Sequence, residues 1–430
     1  MTIPVSTDAQ GRLTVGGVAA SELAREFGTP LYAYDVGVIR ANIRAYREAF
    51  AAHKVDYTVS YAAKAFATVA MFQVAASEGA HLDVVSGGEI VTAQQAGVNM
   101  AHVSFNGNNK SDEELQLALD AGLGTVIVDN HFELERLNEL AARKGVVQDV
   151  LLRIAPDVSA HTHEYIMTGQ ADSKFGFDVA SGQAQAAVKD TQAATHLNLL
   201  GLHAHIGSQI FAVDGFVAEA QKLVDLVRQW DYAPQVLDLG GGFGIQYTDA
   251  DTPIPPTEFV DALVGTISTG FADTDWTMPA IWIEPGRSIV GPAGITLYTA
   301  GGTKQIPGVR TYQTVDGGMG DNIRPALYQA EYEAVLADRP HAETTQVVTL
   351  AGKYCESGDI LVDRAALPPV VPGDILAVLA TGAYGYSMAS HYNRNPLPAV
   401  VFCEDGEAQV VVRRETWADL LAFDQPYQHH

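Results

Sequence analysis

Apolar positions follow two alternating patterns through most of the first 290 residues. Short runs of β-branched and aromatic residues, typical of buried strands, alternate with stretches in which apolar residues recur at helical spacing. Eight strands are predicted, over residues 55–62, 81–87, 102–107, 125–130, 149–157, 201–210, 236–244 and 280–287. Eight strand–helix units over about 250 residues are typical of a (β/α)8 barrel, although an open doubly wound sheet shows the same alternation. The count favours the closed barrel.

Local signals mark several of the helices around these strands. Amphipathic patterns predict one helix over residues 19–27 and another over 36–50. Ser111 and Glu114 have the spacing of a capping box at a helix start, and Gly145 is placed to end a later helix.

The pattern changes after about residue 290, where short strands with turn signals replace helices. Strands are predicted over residues 311–318, 345–352, 371–380, 399–403 and 408–413, the last two joined by an Asp-Gly turn. We therefore expect two domains. Residues 36–289 form the barrel, and residues 290–430, together with residues 1–35 and their strand near residue 31, form a mainly β domain.

Composition narrows the class of protein. The chain has 430 residues, 47% of them hydrophobic, and a formal net charge of −25, which argues against a general nucleic-acid or anionic-membrane surface. No apolar run approaches the roughly 20 residues of a membrane span, and the amino-terminal residues lack a signal-peptide pattern. Cys355 and Cys403 are too few for a disulfide framework and lack metal-ligand spacing. We expect a cytoplasmic enzyme with no metal, and His429 and His430 resemble a tag remnant.

Lys64 is the first candidate for chemistry. It follows the first barrel strand, at the end where barrel enzymes carry their reactive groups. Its neighbours are apolar and aromatic, with no acidic partner nearby in sequence, and desolvation there would favour the uncharged amine that attacks a carbonyl. A surface lysine that merely ends a strand is the alternative.

Three later strand ends carry further candidates. His205 and Ser208 follow the sixth strand, although a histidine there can also be a core residue. Gly240–Gly242 follow the seventh and offer backbone N–H donors for an oxyanion, or form an ordinary loop. Glu284 and Arg287 follow the eighth, and the loops after strands seven and eight often bind phosphate in barrels.

Loop-like stretches of the β domain complete the set, over residues 316–328, 351–359 and 381–393. Ordinary turns and an inert free thiol at Cys355 are the alternatives here. Taken together, YAAKAF, HIGSQ, GGGFG, EPGR, DGGMGDNIRPALY, CESGD and GAYGYSM resemble, in this order and spacing, the alanine racemase-like, fold-type III pyridoxal-phosphate enzymes, and among them the diaminopimelate decarboxylases. The resemblance extends over nearly the whole chain.

The resemblance implies a role for each candidate. Lys64 would bind pyridoxal 5′-phosphate covalently, His205 would stack on its ring, Glu284 would face the pyridine nitrogen, Cys355 would donate a proton and Tyr384 would close the site. The implied phosphate cradle is Ser208, Gly240, Gly241, Gly242, Glu284, Pro285, Gly286 and Arg287. The implied substrate-binding residues are Arg287, Arg324, Tyr328, Glu356 and Tyr384.

The implied reaction is decarboxylation of meso-2,6-diaminopimelate at its D-centre, giving L-lysine and CO2 as the last step of lysine biosynthesis. A protonated ring accepts the electrons that loss of CO2 leaves behind, and two arginines suit a desolvated distal carboxylate. In this family the segment that contains Cys355 and Glu356 enters the site from the partner subunit, so a homodimer with shared sites is implied.

Some positions depart from the family pattern, among them Lys353, His391, Asn395 and Val400. They leave room for a related decarboxylase that acts on a basic D-amino acid or a carrier-bound glutamyl group. An amino-acid racemase is disfavoured because that branch has an arginine where Glu284 stands. A non-catalytic cofactor-binding homologue is disfavoured because both Lys64 and Cys355 are present.

Overall fold

The computed structural model describes residues 5–156 and 173–428, which divide into two compact units. The barrel unit comprises residues 40–245 and 252–289, and the β-rich unit comprises residues 1–39, 246–251 and 290–430. The predicted end of the fifth barrel strand at residue 157 and the two terminal histidines lie outside the described residues.

The strands of the described chain are short, with one exception of thirteen residues. They are β1 (Thr14–Val15), β2 (Val18–Ala19), β3 (Leu31–Asp35), β4 (Tyr57–Ala62), β5 (His81–Val84), β6 (Val103–Phe105), β7 (Thr125–Val128), β8 (Gln148–Ala155), β9 (Phe177–Asp178), β10 (Leu197–His203), β11 (Val236–Asp238), β12 (Ala280–Ile283), β13 (Gly294–Ile306), β14 (Arg310–Val315), β15 (Ala334–Leu336), β16 (Gln346–Ala351), β17 (Ile360–Leu367), β18 (Ile375–Val378), β19 (Ala399–Glu404) and β20 (Glu407–Val412). The helices are α1 (Ala20–Phe27), α2 (Val36–Ala51), α3 (Val69–Ser77), α4 (Gly87–Gln95), α5 (Asp112–Ala121), α6 (His131–Lys144), α7 (Gln183–Ala193), α8 (Val213–Gln229), α9 (Pro256–Phe271), α10 (Arg287–Val290), α11 (Arg324–Tyr328) and α12 (Trp417–Leu421).

Eight parallel strands close the barrel. Strands β4 to β8 pair in chain order, β8 pairs with β10, and β10, β11 and β12 continue until β12 pairs with β4. The closed parallel sheet confirms the predicted barrel, and each predicted strand has its counterpart. Several predicted strands extend too far, however, because the residues that follow β10, β11 and β12 turn into loops at the carboxyl edge. The motif residues from His205 onward therefore lie beyond the strand ends.

The β-rich unit is built on a mixed sheet in the order β17-β16-β14-β13-β3-β19-β20, with β18 pairing β13 and β15. The amino-terminal strand β3 lies inside this sheet, antiparallel to β13 and parallel to β19, which confirms its predicted place. β13 was not predicted, since Gly301 and Gly302 interrupt its apolar pattern.

Local chemistry sets the ends of several elements as predicted. Ser111 and Glu114 form the capping box of α5, and Gly145 ends α6 with a φ of 73°. In the β19–β20 hairpin, Asp405 and Gly406 both have positive φ, 53° and 81°, as a tight Asp-Gly turn requires. Within the described residues, no helix combines the length and apolarity needed to cross a bilayer.

Candidate active site

Lys64 lies in a single 3-10 turn directly after β4. Its neighbours Tyr61, Ala63 and Phe66 are fully buried, but Lys64 itself is exposed. The apolar neighbours therefore pack into the core and do not surround the amine. The expectation that they desolvate Lys64 is wrong. The structure shows instead an electrostatic role for Lys64, whose charge lowers the pKa values of Asp83 and Glu284 against the effect of burial.

The carboxyl end of the barrel contains a buried acidic cluster that the sequence did not reveal. Asn106 donates from Nδ2 to Asp83 Oδ1 at 2.8 Å and to Glu284 Oε1 at 2.9 Å. His203 Nε2 lies 3.2 Å from the second Glu284 oxygen, Oε2. Polar atoms of His203, Asp238 and Glu284 lie within 4.8 Å of one another. Glu284 is thus the shared partner of side chains from several strand ends.

Of the three acids in this cluster, Glu284 has the surroundings that most favour the charged form. Burial and the neighbouring Glu284 charge raise the pKa of Asp83 and of Asp238 well above the ordinary value. Burial also raises the pKa of Glu284, but the charges of Lys64 and Arg153 and a hydrogen bond from Asp238 oppose that rise. Protons therefore reside on the two aspartates in preference to Glu284.

His205 is fixed against the glycine run that follows β11. The N–H of Gly241 donates to His205 Nδ1 at 3.2 Å, and burial, together with the charge of Lys64, holds the pKa of His205 well below its usual range. The ring is therefore neutral and carries its proton on Nε2. The N–H of Gly240 donates to Asp238 at 2.9 Å. The N–H groups of Gly240 and Gly241 thus already have acceptors, which corrects the expectation of unobstructed donors along the whole run.

Close approach explains why glycines occupy this run. A Cβ on Gly241 would lie 2.2 Å from the backbone oxygen of Glu284, and one on Gly242 would lie 2.4 Å from that of Gly207. Gly240 has a φ of 59°, in the left-handed region that favours glycine. The loops after β10, β11 and β12 can pack this tightly only without side chains.

Two predicted residues from separate loops meet directly. Arg287 donates from its guanidinium to Ser208 Oγ at 3.0 Å. Gly286, just before Arg287, is held so close to Ala62 that a Cβ would lie 2.9 Å from it. The loops after the sixth and eighth barrel strands therefore bring a hydroxyl and a fixed cation together.

Arg324 is a buried cation in the β-rich unit. It is 7% exposed, its guanidinium lies 4.7 Å from the ring centre of Tyr247 and 5.5 Å from that of Tyr332, and it donates to the Tyr332 hydroxyl. Tyr384, with a φ of 58°, acts on it electrostatically. Tyr328 lies on the same short helix, α11, and is exposed. Sequence reasoning missed Tyr247 and Tyr332, which no motif marks.

Cys355 and Glu356 form a separate, exposed group in the β-rich unit. The N–H of Cys355 donates to Asn393 Oδ1 at 2.8 Å, and the Tyr392 hydroxyl donates to Glu356 at 3.4 Å. The loop that contains residues 392 and 393 therefore braces the segment that contains the thiol. Sequence reasoning missed both partners, although they lie close to the departure noted at His391.

The barrel fold, with these residues at its strand ends, assigns the chain to the class of pyridoxal-dependent decarboxylases. The family model described as "Pyridoxal-dependent decarboxylase, pyridoxal binding domain" matches residues 36–291. The diaminopimelate decarboxylase of Halalkalibacterium halodurans is 52% identical over 421 residues, which are 97% of this chain and 96% of the relative. That of Bacillus subtilis is 51% identical over 422 residues, with the same coverage. The M. jannaschii diaminopimelate decarboxylase, solved with L-lysine, superimposes with a TM-score of 0.93 at 35% identity, over 99% of this chain and 98% of that one.

The chain belongs to the family of pyridoxal-dependent decarboxylases and, within it, to the diaminopimelate decarboxylases. The residues at the barrel mouth fit the cofactor of that family, pyridoxal 5′-phosphate. A charged, buried Glu284 suits a pyridine nitrogen, and the loops that only glycine permits suit close approach by a phosphate. Lys64 supplies an amine whose charge acts on the same acidic cluster.

Proposed function

We propose that this protein is an enzyme, a carboxy-lyase that removes CO2 from the D-centre of meso-2,6-diaminopimelate and releases L-lysine, the last step of lysine biosynthesis. The observation that carries the proposal is the geometry around Glu284. This buried carboxylate is braced by Asn106 and His203 and lies within the electrostatic reach of Lys64. Full-length similarity to diaminopimelate decarboxylases supports the substrate.

Pyridoxal phosphate supplies an aldehyde for Lys64 and a ring that accepts the electrons left by the departing CO2. The protein keeps a negative charge at Glu284, which favours a protonated ring nitrogen. The neutral, fixed imidazole of His205 suits a stacking role because it adds no charge beside the ring.

A phosphate group suits Ser208 and the loop backbone that leads to Arg287. The Ser208 hydroxyl is oriented before a ligand arrives, because it accepts a hydrogen bond from the guanidinium of Arg287 at 3.0 Å. Gly242 and the backbone from Pro285 to Arg287 complete the proposed cradle. Gly240 and Gly241 contribute through close packing, since their N–H groups bond within the protein.

Arg324 is proposed to bind the distal carboxylate of the substrate, together with Arg287. The faces of Tyr247 and Tyr332 hold its guanidinium while leaving it charged and buried, which strengthens an ion pair. Tyr328, Glu356 and Tyr384 are proposed as further substrate contacts, and Tyr384 also closes the site over the cofactor. A monocarboxylic amino acid such as lysine offers no second carboxylate, so Arg324 would discriminate against it.

Cys355 is proposed as the proton donor in a homodimer whose sites are shared. Cys355 and Glu356 are both exposed in the single chain, as residues that serve a partner subunit's site would be. The expected cytoplasmic location stays a prediction and is checked by cell fractionation.

The proposal is tested by incubating the protein with pyridoxal phosphate and the meso isomer and measuring CO2 and lysine. Stoichiometric release is expected, and D-lysine should yield none. Lys64→Ala should abolish turnover. The cofactor-loaded parent should show an absorbance band near the visible edge that borohydride reduction removes, and this band should be missing in Lys64→Ala. Cys355→Ala should lower kcat far more than it changes KM. CO2 from a basic D-amino acid, with none from the meso isomer, would contradict the proposal.

A further inference from the structure

The side chain of Asn393 holds the backbone of the proposed proton donor. Its Oδ1 accepts the N–H of Cys355 at 2.8 Å, across 38 residues of sequence. We propose that Asn393 is a positioning residue for Cys355, acting through that hydrogen bond and touching no reacting atom. The inference rests on the proposed function, because it assigns Asn393 a share in the step that Cys355 performs.

The backbone at this point adopts a conformation that few residues accept. Asn393 has φ 52° and ψ 23°, and Arg394, the next residue, has a φ of 58°. Asparagine is one of the few side chains that visit this left-handed region routinely. Two successive left-handed residues without glycine persist only where the surroundings hold them, and such strain clusters at functional sites.

Contacts on both sides of Cys355 show what this conformation provides. The Tyr392 ring stacks on Tyr354, with centres 6.0 Å apart and planes 6° apart, and its hydroxyl donates to Glu356. Two successive residues, Tyr392 and Asn393, therefore touch three successive residues, 354 to 356. The left-handed turn is what presents the ring and the carboxamide to the same segment.

The far side of this loop is anchored elsewhere. Arg394 donates to the backbone oxygen of Leu420 at 3.0 Å and to Asp424 at 2.9 Å. His391 Nε2 lies 2.7 Å from Glu415, which also accepts the N–H of Leu397 at 2.9 Å. These bonds connect the loop to the carboxyl-terminal segment and so fix the backbone on both sides of Asn393.

A brace of this kind matters because Cys355 is exposed within its own chain, which therefore positions the thiol through the backbone even where a partner subunit would cover it in the proposed dimer. A buried thiol is positioned by packing, whereas an exposed one depends on its own backbone. Proton transfer requires hydrogen-bond distance, and a displacement of about 1 Å can cost about 100-fold in rate. Releasing the Cys355 backbone should therefore lower kcat and leave substrate binding largely unchanged.

Two substitutions separate the hydrogen bond from the backbone conformation. Asn393→Gly keeps the left-handed backbone and removes the acceptor, whereas Asn393→Asp keeps an acceptor oxygen in the same place. Asp405→Gly is the matched control, since Asp405 has a φ of 53° in the β19–β20 turn. It tests whether glycine at a left-handed position is by itself harmful.

In the holoenzyme we expect Asn393→Gly to lower kcat about 10-fold with KM changed less than about twofold. Asn393→Asp should recover most of kcat, and Asp405→Gly should match the parent. Parent kcat in Asn393→Gly, or an Asn393→Asp variant as slow as Asn393→Gly, would overturn the proposal.

Hydrogen exchange tests the brace without reference to turnover. The amide of Cys355, followed in a peptide that spans it, should exchange at least about fivefold faster in Asn393→Gly and at the parent rate in Asn393→Asp. Equal exchange in the parent and Asn393→Gly would refute the brace. Should Cys355→Ala keep the parent rate, the donor role would fail while the exchange result still stood, so the two failures are distinguishable.

Discussion

His203 and Glu284 face each other at the carboxyl end of the barrel, with Nε2 and Oε2 3.2 Å apart. Burial, with the charges of Arg153 and Lys64, holds the pKa of His203 well below its usual range, so its ring is neutral. A neutral imidazole can donate from Nε2 only when Nδ1 is unprotonated, and Nδ1 has no hydrogen-bond partner within the described residues. Glu284 therefore accepts hydrogen bonds from three neutral side chains, those of His203, Asn106 and Asp238, which stabilise its charge without cancelling it.

Removing that charge should slow the reaction while leaving the fold intact. Glu284→Gln is expected to lower kcat about 100-fold, because the neutral amide can still bond to Asn106 but no longer favours a protonated ring nitrogen. Steady-state assays of the cofactor-loaded protein measure this. Glu219→Gln is the control, a buried glutamate on α8 whose oxygens have no hydrogen-bond partner among the described residues. It should keep kcat within about threefold, and an equal loss in both variants would argue against a specific role for Glu284.

Much of the barrel site could be predicted because its residues stand where strands end. Lys64, His205, Glu284 and Arg287 all follow barrel strands, and parallel strands bring their carboxyl ends to one edge. Strand periodicity alone therefore indicates which loops meet. The resemblance then assigned the individual roles.

The electrostatic setting could not be predicted in the same way. Asp83 lies in the second barrel strand and Asn106 directly follows the third, and the hydrogen bond from Asn106 to Glu284 spans 178 residues of sequence. Lys64 was expected to be desolvated because its sequence neighbours are apolar, yet those neighbours point into the core. Tyr247 could not be predicted as a partner of Arg324, because residues 246–251 interrupt the barrel sequence and yet belong to the β-rich unit.

The tight packing of the glycine run gives a steric test. Gly241→Ala would place a Cβ 2.2 Å from the backbone oxygen of Glu284, where no flexible side chain can move aside. We expect destabilisation of about 1–3 kcal/mol and a loss of activity, since the end of β12 must shift. Gly265→Ala is the matched control. It lies in α9, where an added methyl group would have nothing within 4 Å, and it should stabilise the protein by about 0.5–1 kcal/mol. Thermal unfolding compares the two, and an undisturbed Gly241→Ala variant would contradict the close approach.

Lys110 and Glu133 form a buried ion pair in the barrel wall, outside the candidate site. Their Nζ and Oε1 atoms are 2.7 Å apart, and Lys110 also donates to the backbone oxygens of Gly107 and Ile127. Lys110→Met should cost about 3–5 kcal/mol because it leaves a buried acid and two carbonyls without their donor. Adding Glu133→Leu to that variant should recover part of the loss. Denaturant unfolding of Lys110→Met, Glu133→Leu and the double variant measures the coupling energy between the two side chains. Strictly additive losses would show that this coupling energy is zero.

Asp321 should make stability fall as the pH rises from about 4 to about 7. The residue is 2% exposed, and burial, with the nearby charge of Asp359, raises its pKa to about 7. The folded protein therefore retains a proton on Asp321 that the unfolded chain, with an ordinary value near 4, has already lost. Because the folded state binds more protons in this window, the free energy of unfolding decreases with pH there, by at most about 4 kcal/mol.

Asp321→Asn isolates this contribution, because an amide cannot ionise and still offers an oxygen to the N–H of Gly318, which donates to Asp321 at 2.8 Å. Urea unfolding at pH 5 and pH 8 should show a smaller loss of stability in the variant than in the parent. Asp249→Asn, at an exposed position on the same β-rich unit, should follow the parent at both pH values. If the stability of the variant declined with pH as steeply as that of the parent, Asp321 would already be ionised at pH 5. The hydrogen bonds from Gly318 and Tyr354 would then offset the effect of burial and of Asp359 on its pKa.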